Sequence, residues 1–202
     1  MNERPILFSC EMVRAILDSR KTITRRVIKP QPIFDYDGGC SYPEYSNIKQ
    51  CKHYTSIEHF KKGFPVDFPK FGIPGDRLWL RETWSANWPE IKYKSDGKSF
   101  EVSDDHSDDL MKQYDNQRGD WRPSIHMPRW ASLITLEIVD VRAERLQEIS
   151  EEDAVREGIP NGAYSVNPKI SFLKLWDSIN GKKYPWESNP WVWVIEFKKI
   201  AA

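Results

Sequence analysis

The densest group of reactive side chains lies near the start of the chain, in Arg20-Lys21-Thr22-Ile23-Thr24-Arg25-Arg26. Lys21 and Thr24 draw attention first. A threonine hydroxyl is a poor nucleophile until a neighbour takes its proton. A lysine can take it only where burial or nearby cations lower its pKa. Arg20, Arg25 and Arg26 could supply that positive field, and they could equally bind a phosphate. Residues three apart on a regular strand face opposite sides. Lys21 and Thr24 can therefore share a cleft only where the helix-to-strand junction is bent. A solvated lysine beside an ordinary strand threonine is the competing reading of the same letters.

Other residues could complete such a cleft. Glu82, in Arg81-Glu82-Thr83-Trp84, sits at the end of a largely apolar strand. An acid there is either paired, with Arg25, Arg26 or Arg129, or functional. Trp84 could stack a base, whereas Trp79 reads as core. Arg122, Ser124, His126 and Arg129 could grip a phosphate or a base edge. Alternatively, His126 is a hydrogen-bonded anchor for the segment around it. Cys40, Cys51, His53 and His59 lie close together, but their spacing matches none of the common zinc patterns. No metal or cofactor is expected. No glycine-rich phosphate loop and no Ser-His-Asp order is visible.

Positioning these groups requires a folded scaffold, and the chain has the length for one. Its 202 residues fit a single domain over 1–202 with a full core. Acidic and basic residues balance to a formal net charge of zero, unlike proteins that coat long nucleic acid. A nucleic-acid role must then rest on a local patch or a small substrate. Three unevenly spaced cysteines form no disulfide framework, so a reducing cytoplasmic setting is expected. No signal peptide and no membrane-length apolar run is apparent.

The pattern predicts a helix over residues 9–20, capped by Ser9, and then an extended segment over 21–28. Residues 77–84 read as a strand after the Pro74-Gly75-Asp76 turn, 132–142 as the strongest strand, and 191–200 as the last. A short helix follows Ser150 and stops at Gly158, and an amphipathic helix spans 170–179. Two long insertions, about 31–74 and 85–127, separate these elements. The expected class is α+β, a small mixed β-barrel flanked by short helices.

Four pieces in this order resemble the ASCH family of the PUA-like superfamily. They are the helix running into Arg20 to Arg26, the segment Pro74 to Leu80, the strand Ile134 to Val141 with Leu146 and the Glu151 to Glu157 helix, and the strand Val192 to Phe197. The first piece is similar to a stretch of the small N4-acetylcytidine amidohydrolases, with Ser19 where they commonly have Gly. The longer layout looks like the larger ASCH proteins of phages and prophages. The resemblance implies a cleft for a nucleoside or a single-stranded nucleic-acid base. In the amidohydrolase reading, Lys21 is the base, Thr24 the nucleophile and Glu157 the acid, with Glu151 or Glu152 as alternatives to Glu157. Arg25, Arg26, Glu82, Trp84, His126 and Arg129 would surround the ligand. The alternative is a non-catalytic nucleic-acid-binding module, or a ribonuclease.

Overall fold

The computed structural model describes residues 1–34, 40–41, 71–87, 90–101, 121–159 and 167–200. Strand β1 (Glu3–Leu7) leads into helix α1 (Cys10–Leu17), followed by β2 (Ile23–Val27). The short strands β3 (Ile33–Phe34) and β4 (Cys40–Ser41) pair with each other. After them come β5 (Arg77–Arg81), β6 (Trp84–Asn87), β7 (Glu90–Tyr93), β8 (Ser99–Glu101) and the long β9 (Thr135–Arg145). Helices α2 (Glu151–Arg156) and α3 (Pro168–Asn180) precede β10 (Trp191–Ile200). The expected α+β class is the one observed.

Five strands form one sheet in the order β1-β5-β9-β10-β2. The β1–β5 pair is parallel, and the other three pairs are antiparallel. The sheet curls until its two edges approach. On edge strand β2, the Arg26 guanidinium donates to Leu7 O on edge strand β1, at 2.7 Å.

Strand β10 shows why the sheet is buried on both faces. Trp193, Ile195 and Phe197 enter the core inside the curl, with Val13 and Ile16 of α1, Leu78, Leu80, Leu136 and Ile138. Val192 and Val194 point the other way, into a second core with Ile23, Leu146, Phe172 and Trp176. A strand covered on both faces reads as a continuous apolar run, as Trp191 to Ile195 does.

The helix boundaries follow local chemistry. Ser9 caps α1 by accepting the Met12 N–H, and Ser150 caps α2 by accepting the Asp153 N–H at 3.0 Å. Asn167 caps α3, which has Pro168 in its first turn.

Three sequence expectations need correction. The opening residues form β1, which lines up parallel to β5 and which the sequence pattern does not announce. The predicted strand over 77–84 is two strands in different sheets, broken at Glu82-Thr83. The second insertion is not simply polar loop, because β6, β7 and β8 form a three-stranded sheet within it. Beneath that sheet Trp84, Ala86, Ile91, Tyr93, Met127 and Ala131 make a third core. Alternation of Trp84 with Ala86 and of Ile91 with Tyr93 carries this sheet, but each run is only four residues long. No helix among the described residues is long and apolar enough to cross a membrane.

Candidate functional site

The bend demanded between helix and strand is present, and it begins at Ser19. Its φ is +59°, in the left-handed region that favours glycine. Arg20 and Lys21 then both donate their backbone N–H to Ala15 O, folding the chain back under α1. Lys21 forms a single antiparallel bridge with Glu157, just before β2 starts. Gly158, at φ +95°, turns the chain away from the end of α2. A Cβ there would lie 2.9 Å from the Ala15 Cβ and 3.2 Å from the Lys21 Cβ, so the close approach of these segments needs glycine.

The Lys21 ammonium has no contact with solvent. It donates to Glu157 Oε2 at 2.6 Å, Glu157 O at 2.7 Å and Ile23 O at 2.8 Å. An ammonium has three N–H groups, so each has an acceptor. Burial pushes the Lys21 amine below the ordinary lysine range; Glu157 offsets part of that, while Arg26 and Arg25 add to it. The Phe8 ring lies 5.7 Å from Nζ and 5.1 Å from the Arg26 guanidinium carbon.

Arg25 approaches Glu157 from the opposite side. Its guanidinium reaches Glu157 Oε1 at 3.4 Å, Asp153 Oδ2 at 2.6 Å and Glu144 Oε2 at 3.2 Å. Arg142 binds the same Glu144 and Asp153, at 2.5 and 3.1 Å. Arg156 joins Glu196 at 2.5 Å and Thr22 Oγ1 at 3.2 Å. Thus Arg25 is a clamp inside a charge network. The same network holds the Glu157 carboxylate between two cations.

Above this pair lies a cavity of about 400 Å³, lined by Thr24, Arg25, Arg26 and Glu157 on the polar side. Its apolar wall is Phe172, Leu175, Trp176 and Ile179 of α3, with Met12, Phe71 and Trp193. Thr24 is buried, and its hydroxyl makes no hydrogen bond to another described residue. Lys21 lies behind Glu157 and does not line the cavity. Thus Thr24 and Glu157 line one cavity, and Glu157 joins Lys21 to that space. Arg26 shares that space while burial pushes its guanidinium pKa down, an effect Glu157 partly offsets.

The remaining expected residues lie elsewhere. Glu82 pairs with none of the three arginines proposed for it. It is buried, and its carboxylate accepts the Ser95 N–H at 3.3 Å. Burial raises its pKa, the Ser95 contacts lower it, and Asp96 raises it further. Trp84 is fully buried in the third core, so it offers no face to a base. His126 is exposed in a 3₁₀ turn over residues 124–126. Arg129 binds Glu3 at 2.9 Å. None of these four lines the cavity. Cys51, His53 and His59 fall outside the described residues, as does the Cys40 side chain. Among the described residues, no group of three or more metal-ligating side chains occurs.

The sequence reading missed the aromatic wall. Phe172, Leu175, Trp176 and Ile179 recur at helical spacing, and that pattern was read only as an amphipathic helix over 170–179. Ile179 is 58% exposed, so the apolar stripe runs past what the core covers. A stripe reaching the last residues of α3 was the available signal.

No family model matches this sequence, and no curated protein matches it. Two solved structures are similar in fold. One is an ASCH domain from Lactobacillus crispatus, 14% identical, with a TM-score of 0.38 over 98% of this chain and 79% of that one. The other is a DUF984 protein from Enterococcus faecalis, 8% identical, with a TM-score of 0.41 over 99% of this chain and 80% of that one.

Proposed function

We propose that the cavity receives the base of a pyrimidine nucleoside, free or in single-stranded nucleic acid, and that the protein hydrolyses an acyl amide on that base. The observation that carries this reading is the meeting of Thr24 and Glu157 in one aromatic-walled cavity, with the Lys21 ammonium 2.6 Å from the Glu157 carboxylate. A cavity of about 400 Å³ is within the range that holds small organic ligands. Phe172 and Trp176, each 3% exposed, line the cavity from within the second core, Leu175 and Ile179 add apolar surface, and Arg26 and Asn180 offer donors for a base edge. The resemblance of the Lys-Thr segment to the N4-acetylcytidine amidohydrolases supplies the reaction.

The steps balance with the groups present. Lys21 passes a proton to Glu157, leaving a neutral amine and a carboxylic acid. The Thr24 hydroxyl proton passes to Glu157 Oε1 while the proton on Oε2 returns to the Lys21 amine, as the threonine Oγ1 attacks the acyl carbon. The protonated Glu157 then delivers its proton to the departing ring amine. Water hydrolyses the acyl-threonine ester, returning Thr24 and a carboxylate product. Aromatic walls exclude bulk water and keep the proton within the pair.

A second reading follows from a specific observation. All three ammonium N–H groups of Lys21 already have oxygen acceptors, which suits a fixed structural cation beneath a base-binding cleft with no chemistry. The test is turnover of a panel of acylated nucleosides, N4-acetylcytidine among them, by wild type, Thr24→Ala and Lys21→Ala. The catalytic reading expects wild-type turnover, reduced about 10²–10⁴-fold in Lys21→Ala, while Thr24→Ala still binds the nucleoside. Binding without turnover across the panel leaves the binding module. Absence of both binding and turnover removes the nucleoside reading altogether.

A further inference from the structure

The Glu157 side of the cleft does not end at the first cavity. A second cavity of about 420 Å³ adjoins it and shares Met12, Glu157 and Leu175 as common lining. Its outer residues include Arg14 and Arg20. One cavity of this size already accommodates a drug-sized ligand, so two in contact suit a longer molecule. Among the described residues, Arg14 makes one side-chain hydrogen bond, from Nε to Ser95 O. A guanidinium carries five N–H groups, so the outer ones remain for an incoming acceptor. Arg20 is bound to Asp18 at 2.9 Å, with the two side chains 44% and 57% exposed, and to Gly158 O at 3.2 Å. An exposed ion pair of that kind is worth little and exchanges readily for a stronger anion. Two acids face the same region: Glu11 lines the cavity, and Asp18 sits on Arg20.

We infer that this second cavity is a phosphate subsite, in which Arg14 and Arg20 hold the phosphate adjoining the nucleoside bound in the first. The inference rests on the base-binding reading of the first cavity and extends it: the ligand is a nucleotide or an oligonucleotide unit. Phosphate suits paired guanidiniums because each offers a planar fork of charge-assisted donors. The acids set a local opposition, so Glu11 weakens the site and its neutral variant strengthens it.

The experiment is calorimetric titration of N4-acetylcytidine and of its 5′- and 3′-monophosphates into Thr24→Ala protein, which binds without turnover, alone and combined with Arg14→Ala, Arg20→Ala, Glu11→Gln or Trp176→Ala. One of the monophosphates is expected to bind roughly tenfold or more tighter than the nucleoside. That gain should vanish in both arginine variants, with nucleoside affinity unchanged, and should grow in Glu11→Gln. Equal affinities for nucleoside and both monophosphates overturn the phosphate subsite and leave the first cavity intact. A phosphate gain that survives in Arg14→Ala and Arg20→Ala also overturns it. Monophosphate binding indifferent to Trp176→Ala retains the subsite and removes the base cleft. No binding of any of the three removes both.

Discussion

Replacing Lys21 by methionine tests the centre of the site most directly. The substitution keeps an unbranched apolar stem of similar length and deletes the ammonium. Three hydrogen bonds go with it, and the buried Glu157 carboxylate loses its nearest cation, at 2.6 Å. Removing one partner of a buried ion pair costs about 3–5 kcal/mol, because the remaining charge is left uncompensated. Here Arg25 remains at 3.4 Å on the other carboxylate oxygen, so the lower end of that range, about 3 kcal/mol, is expected. For a chain of this size that loss lowers Tm by roughly 6–12 °C. The assay is urea unfolding of wild type, Lys21→Met, Glu157→Leu and the double variant. The double variant should lose about 1–3 kcal/mol less than the sum of the singles, since it leaves no lone charge of the pair. A Lys21→Met variant within about 0.5 kcal/mol of wild type, or strict additivity in the double, would refute the claim that the pair is buried and coupled.

Three further outcomes follow from residues around the site. Glu82→Gln should stabilise the protein at neutral pH. The folded-state pKa of Glu82 is raised above 4.5, so the native state holds its proton more tightly, and stability falls as pH rises from there through the folded value. The advantage of glutamine should be absent below that window, grow through it and then level off; an advantage that does not change with pH would contradict burial as the cause. Gly158→Ala should cost about 1–3 kcal/mol, read by thermal unfolding, since a methyl group meets Ala15 at 2.9 Å on a left-handed backbone. Ser19→Gly should stabilise by up to about 1 kcal/mol, because relief of the left-handed serine at φ +59° outweighs the entropy of the added glycine.

Periodicity made the main frame readable. Apolar runs located β9, β10 and α3 to within a few residues, and serine caps located α1 and α2. Strand β1 escaped because Glu3, Arg4 and Pro5 show no alternation, and its place is set by parallel pairing to β5, more than seventy residues away. The sheet of β6 to β8 escaped because its strands are short and polar on their outer sides. Within the site, Lys21, Thr24 and Glu157 were nominated through a family resemblance. Their arrangement was not readable, because it depends on the turn at Ser19 and on the bridge between Lys21 and Glu157. Trp84 and Glu82 were misplaced for one reason. The break between β5 and β6 carries both into a different layer, and a continuous strand had been assumed there.

The order of strands in the sheet has a consequence for how the molecule comes into being during synthesis. In sequence, β10 is the last strand, yet it is the sheet neighbour of both β9 and β2. Until it emerges, β2 has no ladder partner among the described strands. Lys21 waits as well: Glu157 is 136 positions later, about 7–27 s of translation at usual rates. The nascent chain therefore presents its cationic segment in the open long before the acid arrives to bury it. A chain stopped before Trp191 would leave β2 without its ladder partner, and a protease that cuts after basic residues should cleave after Arg25 or Arg26 faster there than in the finished protein.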